Sequence, residues 1–203
     1  MGESFCMLEI IITRHGETHS NTEGRYLGWT DVDLNENGIK QACTLKEKLK
    51  DTKIDYIYAS PLKRAARTAE IINEAHNVGI IYSESIMERN FGVFDNMTYS
   101  EICKNYPVQQ ELWAKDWVNY CIESGESALQ FHNRVCGFVK GLTAEYKKGC
   151  ILVVAHLGCV RSIVTCLLGL ELEYSWRFKV DNCSISKFQI IDNYPVLTLF
   201  NGI

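Results

Sequence analysis

Ile10-Ile11-Ile12-Thr13-Arg14-His15-Gly16-Glu17-Thr18 is the stretch from which the rest of the chain can be read. Its short β-branched start suits a strand covered on both faces of a sheet, and it breaks abruptly into a cation, an imidazole and a glycine. Gly16 ends the regularity and lets the backbone come close to a ligand. The ligand these residue types suit is a phosphate. Arg14 offers a planar fork of donors matched to phosphate oxygens, and His15 beside it can serve as a nitrogen nucleophile or a proton carrier near neutral pH. An isolated Arg-His-Gly tripeptide is an ordinary strand end; the surrounding sequence is what gives this one weight.

The same arrangement returns later in the chain. Ile151 to Ala155 is a wholly apolar strand ending in His156, followed by Gly158 and a predicted helix from about Val160 to Leu168. Between the two strands, Asn35 is an N-cap for a helix running to about Lys50, with Ile39, Ala42, Cys43, Leu45 and Leu49 turned inward and Lys46, Lys48 and Lys50 solvated. Tyr56 to Ala59 reads as a strand. Ser60-Pro61 predicts the next helix start, Ser60 as cap and Pro61 in the first position, with Leu62, Ala65, Ala66, Ala69 and Ile72 on its apolar face and Arg64 one turn in. Val78 to Tyr82 is a third, shorter strand.

From Glu84 to Glu123 the chain turns aromatic and irregular, and Tyr106-Pro107 interrupts any single helix there. This segment reads as a small helical insert whose rings either build a local core or face a ligand. Ser124-Gly125-Glu126-Ser127 opens a long helix to about Lys147, with Leu129, Val135, Phe138, Val139 and Leu142 inward, His132 packed among them and Gly149 as the stop. Ser184 to Ile191 and Val196 to Phe200, around an Asp192-Asn193-Tyr194-Pro195 turn, read as an antiparallel pair.

Strands alternating with helices predict an α/β fold: a three-layer α/β/α sandwich with a mainly parallel sheet, one antiparallel margin, and a small helical insert over residues 84–125. At 203 residues, the length predicts a single domain, 1–203. Ligands on such sheets sit outside the carboxyl ends of the strands, where Arg14, His15, Arg64 and His156 would meet.

A net charge of −4 lacks the basic excess of a nucleic-acid binder, and no run approaches a membrane span. Nine cysteines with no Cys-x-x-Cys pair read as reduced thiols of a cytoplasmic protein, mainly packed as small core residues. Residues 1–7 read as a short lead-in without a signal peptide's apolar stretch, Met7 as an alternative start, and Cys6 stands where myristoylation needs Ser or Thr. His15-Gly16-Glu17-Thr18-His19 after a strand has the wrong order, on the wrong element, for a zinc protease helix.

Six blocks in order carry a family resemblance: Arg14-His15-Gly16-Glu17-Thr18 with Asn21; Gly24-Arg25-Tyr26-Leu27-Gly28-Trp29-Thr30-Asp31; Ser60-Pro61-Leu62-Lys63-Arg64-Ala65; Met87-Glu88-Arg89-Asn90-Phe91-Gly92; Gly125-Glu126-Ser127; and Val153-Val154-Ala155-His156. With them the chain resembles the histidine phosphatase superfamily, which includes the cofactor-dependent phosphoglycerate mutases. The resemblance implies that His15 attacks phosphorus and becomes a phosphohistidine, that Arg14, Arg64 and His156 hold the phosphoryl oxygens with Asn21 assisting, and that Glu88 is general acid and then base. Burial under the insert is expected to raise the pKa of Glu88 for that role. The catalytic group is then His15, Glu88 and His156, with no metal and no cofactor.

Within the superfamily the resemblance is to the short phosphatases, in particular those acting on alpha-ribazole 5′-phosphate. Mutases carry arginines in the insert that grip a second charged group, and residues 93–125 contain none; Leu27 stands where mutases tend to have Thr. Leu157 follows His156 where the family often has Gly, and Cys159 invites oxidant sensitivity or simple packing. The implied partner is a small-molecule phosphomonoester, with no nucleic acid and no membrane. A broad-specificity phosphatase, a phosphoglycerate mutase and a non-catalytic phosphate-binding module are the other readings.

Overall fold

A computed structural model describes residues 7–202; the readings placed on residues 1–6, the lead-in and Cys6, lie outside the described residues. The chain runs β1 (Met7–Arg14), α1 (His19–Thr22), α2 (Glu36–Leu49), β2 (Tyr56–Ala59), α3 (Lys63–Asn73), β3 (Ile80–Tyr82), α4 (Tyr99–Asn105), α5 (Pro107–Lys115), α6 (Ala128–Glu145), β4 (Gly149–Ala155), α7 (Leu157–Leu168), β5 (Ile185–Ile191) and β6 (Tyr194–Gly202). The strands form one sheet in the order β3-β2-β4-β1-β5-β6. β1, β2, β3 and β4 are parallel, and β5 joins β1 antiparallel with β6 beyond it. The fold is therefore the α/β one expected, with its antiparallel margin.

The alternation of the pleat divides the core in two. Ile10, Ile12, Ile151, Val153 and Phe188 point to the face covered by α6 and α7, while Ile11, Ile57, Leu152 and Val154 point to the face covered by α2 and α3. Each fully buried aliphatic side chain contributes about 1.5–3 kcal/mol of transfer free energy, so β1 and β4 are fixed from both sides. That rigidity positions whatever follows their carboxyl ends.

The insert has a core of its own. Phe94, Ile102 and Ile122 are buried together, with Tyr26, Phe91, Tyr106, Trp113 and Tyr120 packed around them. Thr98 and Glu101 form a capping box at α4, and Pro107 occupies the first turn of α5, so the Tyr106-Pro107 break separates two short helices.

Several local readings are corrected. Ile39 is 41% exposed and Cys43 is exposed, because the buried stripe of α2 runs through Gly38, Ala42, Leu45 and Leu49. Ser60 and Pro61 precede the helix without capping it: α3 starts at Lys63 with Leu62 at the cap, and Ser60 is engaged elsewhere. In α6, Leu129 is exposed and Phe131 takes the inward place. Gly149 opens β4 at φ +103°, after α6 has ended at Glu145. The α7 helix begins at Leu157, immediately after His156 rather than near Val160. The hairpin turn is only Asp192-Asn193, both at positive φ, so Tyr194 and Pro195 already belong to β6.

Candidate active site

β1, β4 and β2 lie side by side and parallel, so their carboxyl ends open on one edge of the sheet. The ladder continues past the strands: the His15 N–H donates to the Ala155 carbonyl at 2.9 Å and the Ser60 N–H to the Val154 carbonyl at 3.0 Å. His15, Ser60 and His156 are thus placed by backbone pairing before any side-chain contact is made. The rings of His15 and His156 meet edge to face at 5.2 Å between centroids.

His15 is buried, and its Nδ1 lies 2.6 Å from the Gly16 carbonyl oxygen. A carbonyl only accepts, so Nδ1 carries the proton and Nε2 keeps its lone pair. Burial, then the charges of Arg64 and Arg14, hold the pKa of His15 well below the usual imidazole range. The ring is neutral, with a lone pair on Nε2. Its backbone is pinned by Asn182, whose side-chain amide donates to the His15 carbonyl at 2.9 Å, and by Thr68, whose hydroxyl accepts from the Gly16 N–H at 3.1 Å. A Cβ on Gly16 would strike the backbone of Gly38, so the loop after β1 can lie against the start of α2 only without one.

His156 is fully buried and pairs through Nε2 with the Ser60 hydroxyl at 2.8 Å. Burial, Arg64, His15 and Arg14 keep it neutral as well. Arg64, 0% exposed, donates through Nη1 to the Thr30 carbonyl at 3.1 Å and through Nη2 to the Gly28 carbonyl at 2.6 Å. Burial brings its pKa down to about 10, which leaves it charged. Arg14 donates to the Val180 carbonyl at 3.0 Å. Arg14 Nε, Arg64 Nε and His156 Nδ1 are buried without a hydrogen-bond partner among the described residues. Buried polar atoms are normally paired, so three orphans on three elements around one imidazole mark a place built for an anion.

Asn21 lies in α1, its side-chain oxygen accepting the Thr18 N–H at 3.1 Å in a reciprocal capping box, and it lines the cavity above His15. Glu88 is buried at 7% exposure, one carboxylate oxygen accepting the Arg89 N–H at 2.9 Å and the other the Gly158 N–H at 3.0 Å. Gly158 sits in the first turn of α7, and a Cβ there would collide with the Glu88 carboxylate and the Phe131 ring. Glycine at this position is what allows the helix start and the carboxylate to touch.

The cavity over these groups measures about 450 Å³. Arg14, His15, Asn21 and Glu88 line it, while Arg64 and His156 are fully buried and contribute no surface to it. Phe91, Tyr99, Trp113 and Trp117 bring the insert's rings to the same cavity, so Phe91 and Trp113 serve both that wall and the insert's own core. Trp117 meets Trp176, from the 3₁₀ turn over Leu172–Arg177, edge to face at 5.7 Å.

All six residues expected from the sequence gather here. Reading the sequence missed Ser60, taken as a helix cap; Thr68 and Asn182, which carry no motif; and Gly158, whose signal was its place two residues after His156. It also missed Glu126, which accepts from the Asn90 N–H at 2.9 Å and from Arg134 Nη2 at 2.6 Å and so ties the insert to α6. Cys159 is a packed thiol, donating to the Ile86 and Met87 carbonyls, and burial pushes its pKa well above the usual thiol range. Among the described residues no helix is long and apolar enough to cross a membrane.

The model of the histidine phosphatase superfamily (branch 1) matches residues 10–202. The chain is 34% identical to phosphoserine phosphatase 1 of Hydrogenobacter thermophilus over 96% of its own length and 92% of the relative's. The crystal structure of the alpha-ribazole phosphatase of Shigella flexneri is similar at a TM-score of 0.91 and 28% identity, covering 96% of both chains. A mutant phosphoserine phosphatase of Entamoeba histolytica in complex with phosphoserine is similar at 0.83 and 28% identity, again over 96% of each chain.

Proposed function

The chain belongs to the histidine phosphatase superfamily and is a phosphoric monoester hydrolase, and from that premise we propose that it works through a phosphohistidine on His15, with Glu88 as the proton carrier. The observation that carries this is the His15 tautomer: Nδ1–H is committed to the Gly16 carbonyl, leaving a neutral Nε2 among three unpartnered donors. Nε2 attacks phosphorus as the ester P–O bond breaks, and Glu88, protonated, gives its proton to the departing alkoxide. Water then attacks the phosphohistidine, Glu88 takes the water's proton, and Nε2 leaves; the products are the alcohol and inorganic phosphate. This division replaces one difficult displacement by two easier ones.

The transition state spreads charge over the phosphoryl oxygens, so placed donors supply most of the catalysis. Arg14, Arg64 and His156 are those donors, and the Asn21 amide adds one from α1. Ser60 orients His156, and Asn182 and Thr68 orient the loop that bears His15.

The substrate is a small organic phosphomonoester. Two features of the cavity wall support different substrates: the rings of Phe91, Tyr99, Trp113 and Trp117, against which the flat base of an alpha-ribazole-like substrate can stack, and Arg161, which suits a second negative charge; the relative kcat/KM of alpha-ribazole 5′-phosphate and phosphoserine separates the two. His15→Ala is expected to abolish hydrolysis of p-nitrophenyl phosphate, and treatment with EDTA to leave the unmutated enzyme active. Full activity in the alanine variant overturns the phosphohistidine role, and loss with the chelator revives a metal.

A further inference from the structure

Four arginines with half or more of their surface covered and no ion-pair partner among the described residues remain once the salt bridges are counted: Arg14, Arg64, Arg89 and Arg161. The phosphoryl end uses the first two. Arg89 also lines the cavity and leaves Nη2 without a partner among the described residues, but it gives its Nε to the Glu126 carbonyl, lies over the Phe91 and Trp113 rings and has its charge offset by the Glu126 carboxylate. Arg161 is different.

Arg161 sits one turn after Gly158 on α7 and lines the cavity. Its Nε donates to the Phe178 carbonyl at 2.8 Å and its guanidinium lies 5.1 Å from the centroid of the Trp176 ring. These two contacts fix the plane of the fork and engage one nitrogen. Nη1 and Nη2 make no hydrogen bond among the described residues, so the bidentate edge of the group is left for a ligand. Arg14 and Glu88 are both close enough to act on its charge, which places it beside the reacting centre. Glu88 supports the charge of Arg161 and Arg14 opposes it, and a second negative charge arriving with the substrate would meet the open edge of the fork directly.

We propose that Arg161 reads a carboxylate on the substrate, so that the enzyme selects small phosphomonoesters carrying a carboxyl group a few bonds from the ester oxygen. The inference rests on the phosphohistidine reading above and names the substrate class of that same site. The cation that grips a second charge comes here from α7, whereas the one arginine of the insert, Arg89, is held by the Glu126 carbonyl and by the Phe91 and Trp113 rings.

The test compares O-phospho-L-serine with O-phosphoethanolamine, which differ by the carboxylate alone, in kcat/KM. The expected result is a preference of about 10- to 100-fold for phosphoserine, the worth of a charge-assisted pair, expressed mainly in KM. Arg161→Gln is expected to bring the ratio to near one by lowering the phosphoserine value, and Arg161→Lys to restore part of it. A ratio near one in the unmutated enzyme overturns the proposal. So does a loss in Arg161→Gln shared equally by both compounds, which marks a residue holding the phosphoryl group or the fold, and so does a preference for alpha-ribazole 5′-phosphate over phosphoserine that the substitution leaves in place. Failure of the underlying reading looks different: p-nitrophenyl phosphate is then not hydrolysed at all, or no phosphoryl group is found on His15.

Discussion

The two ends of the cavity are built in different ways. At the phosphoryl end, Arg14, His15, Ser60 and His156 follow directly from β1, β2 and β4, and the backbone ladder itself continues into them. At the far end the walls come from the insert, which packs on a small core of its own, and from the turn over Leu172–Arg177, and the two meet through Trp117 and Trp176. On the proposed mechanism, chemistry is anchored to strands buried on both faces, and substrate shape to parts that can change without disturbing them. Glu88 stands at the junction, entering from the insert's first residues but held by the Gly158 N–H of α7.

Substitutions at that junction test the division hardest. Glu88→Gln is expected to lower kcat for an alkyl phosphate by roughly 10²- to 10⁴-fold, since neither proton transfer can then occur. Gly158→Ala touches no reacting atom, yet its Cβ displaces the carboxylate; a drop in kcat of about 10-fold with thermal stability nearly retained is expected, in keeping with the sensitivity of catalysis to small displacements. An unchanged kcat in Gly158→Ala would detach Glu88 from the helix start and dissolve the junction.

Trp117→Ala probes the far end. It is expected to raise KM by about 2- to 10-fold, the worth of one aromatic contact, with kcat for p-nitrophenyl phosphate nearly kept. A fall in kcat as large as the rise in KM would mean that the insert supports the chemistry, and the contrast between the two ends would weaken.

The smallest effect expected is on stability. Burial holds His15 and His156 neutral in the folded chain, while the unfolded chain takes up protons at both as the pH falls through about 6.5. The unfolded state then binds more protons, so this contribution is present above that pH and is lost on acidification. The thermal midpoint without phosphate should fall between about pH 7 and pH 5, and less so in His156→Gln. A midpoint that holds or rises over that window contradicts the burial of two neutral imidazoles.

The same contrast explains what the sequence made legible. β1 and β4 are buried on both faces, and their apolar runs ending in Arg14-His15 and in His156 announce both the parallel sheet and the edge where a ligand sits. Residues whose work is done through space were not visible: Asn182 reaches the His15 carbonyl from 167 positions away, and nothing around it in the chain marks that role. Ser60 misled because Ser before Pro is a strong helix-start signal, and here the hydroxyl is taken by His156 instead. In the insert the aromatic residues were plain but their direction was not, since a ring facing a cavity and a ring facing a local core look alike in sequence; Phe91 and Trp113 do both.

The central claim is the covalent intermediate on His15. Glu88→Gln allows p-nitrophenolate, a good leaving group, to depart while removing the base for water attack, so the intermediate should accumulate when this variant is mixed rapidly with p-nitrophenyl phosphate and quenched in alkali. Mass spectrometry of the digested protein is then predicted to find one phosphoryl group on the peptide containing His15, stable to alkali and lost in acid, and none when His15 is also replaced by Ala. A phosphoryl group on another residue, or phosphate release with no labelled peptide at any time, would contradict the account.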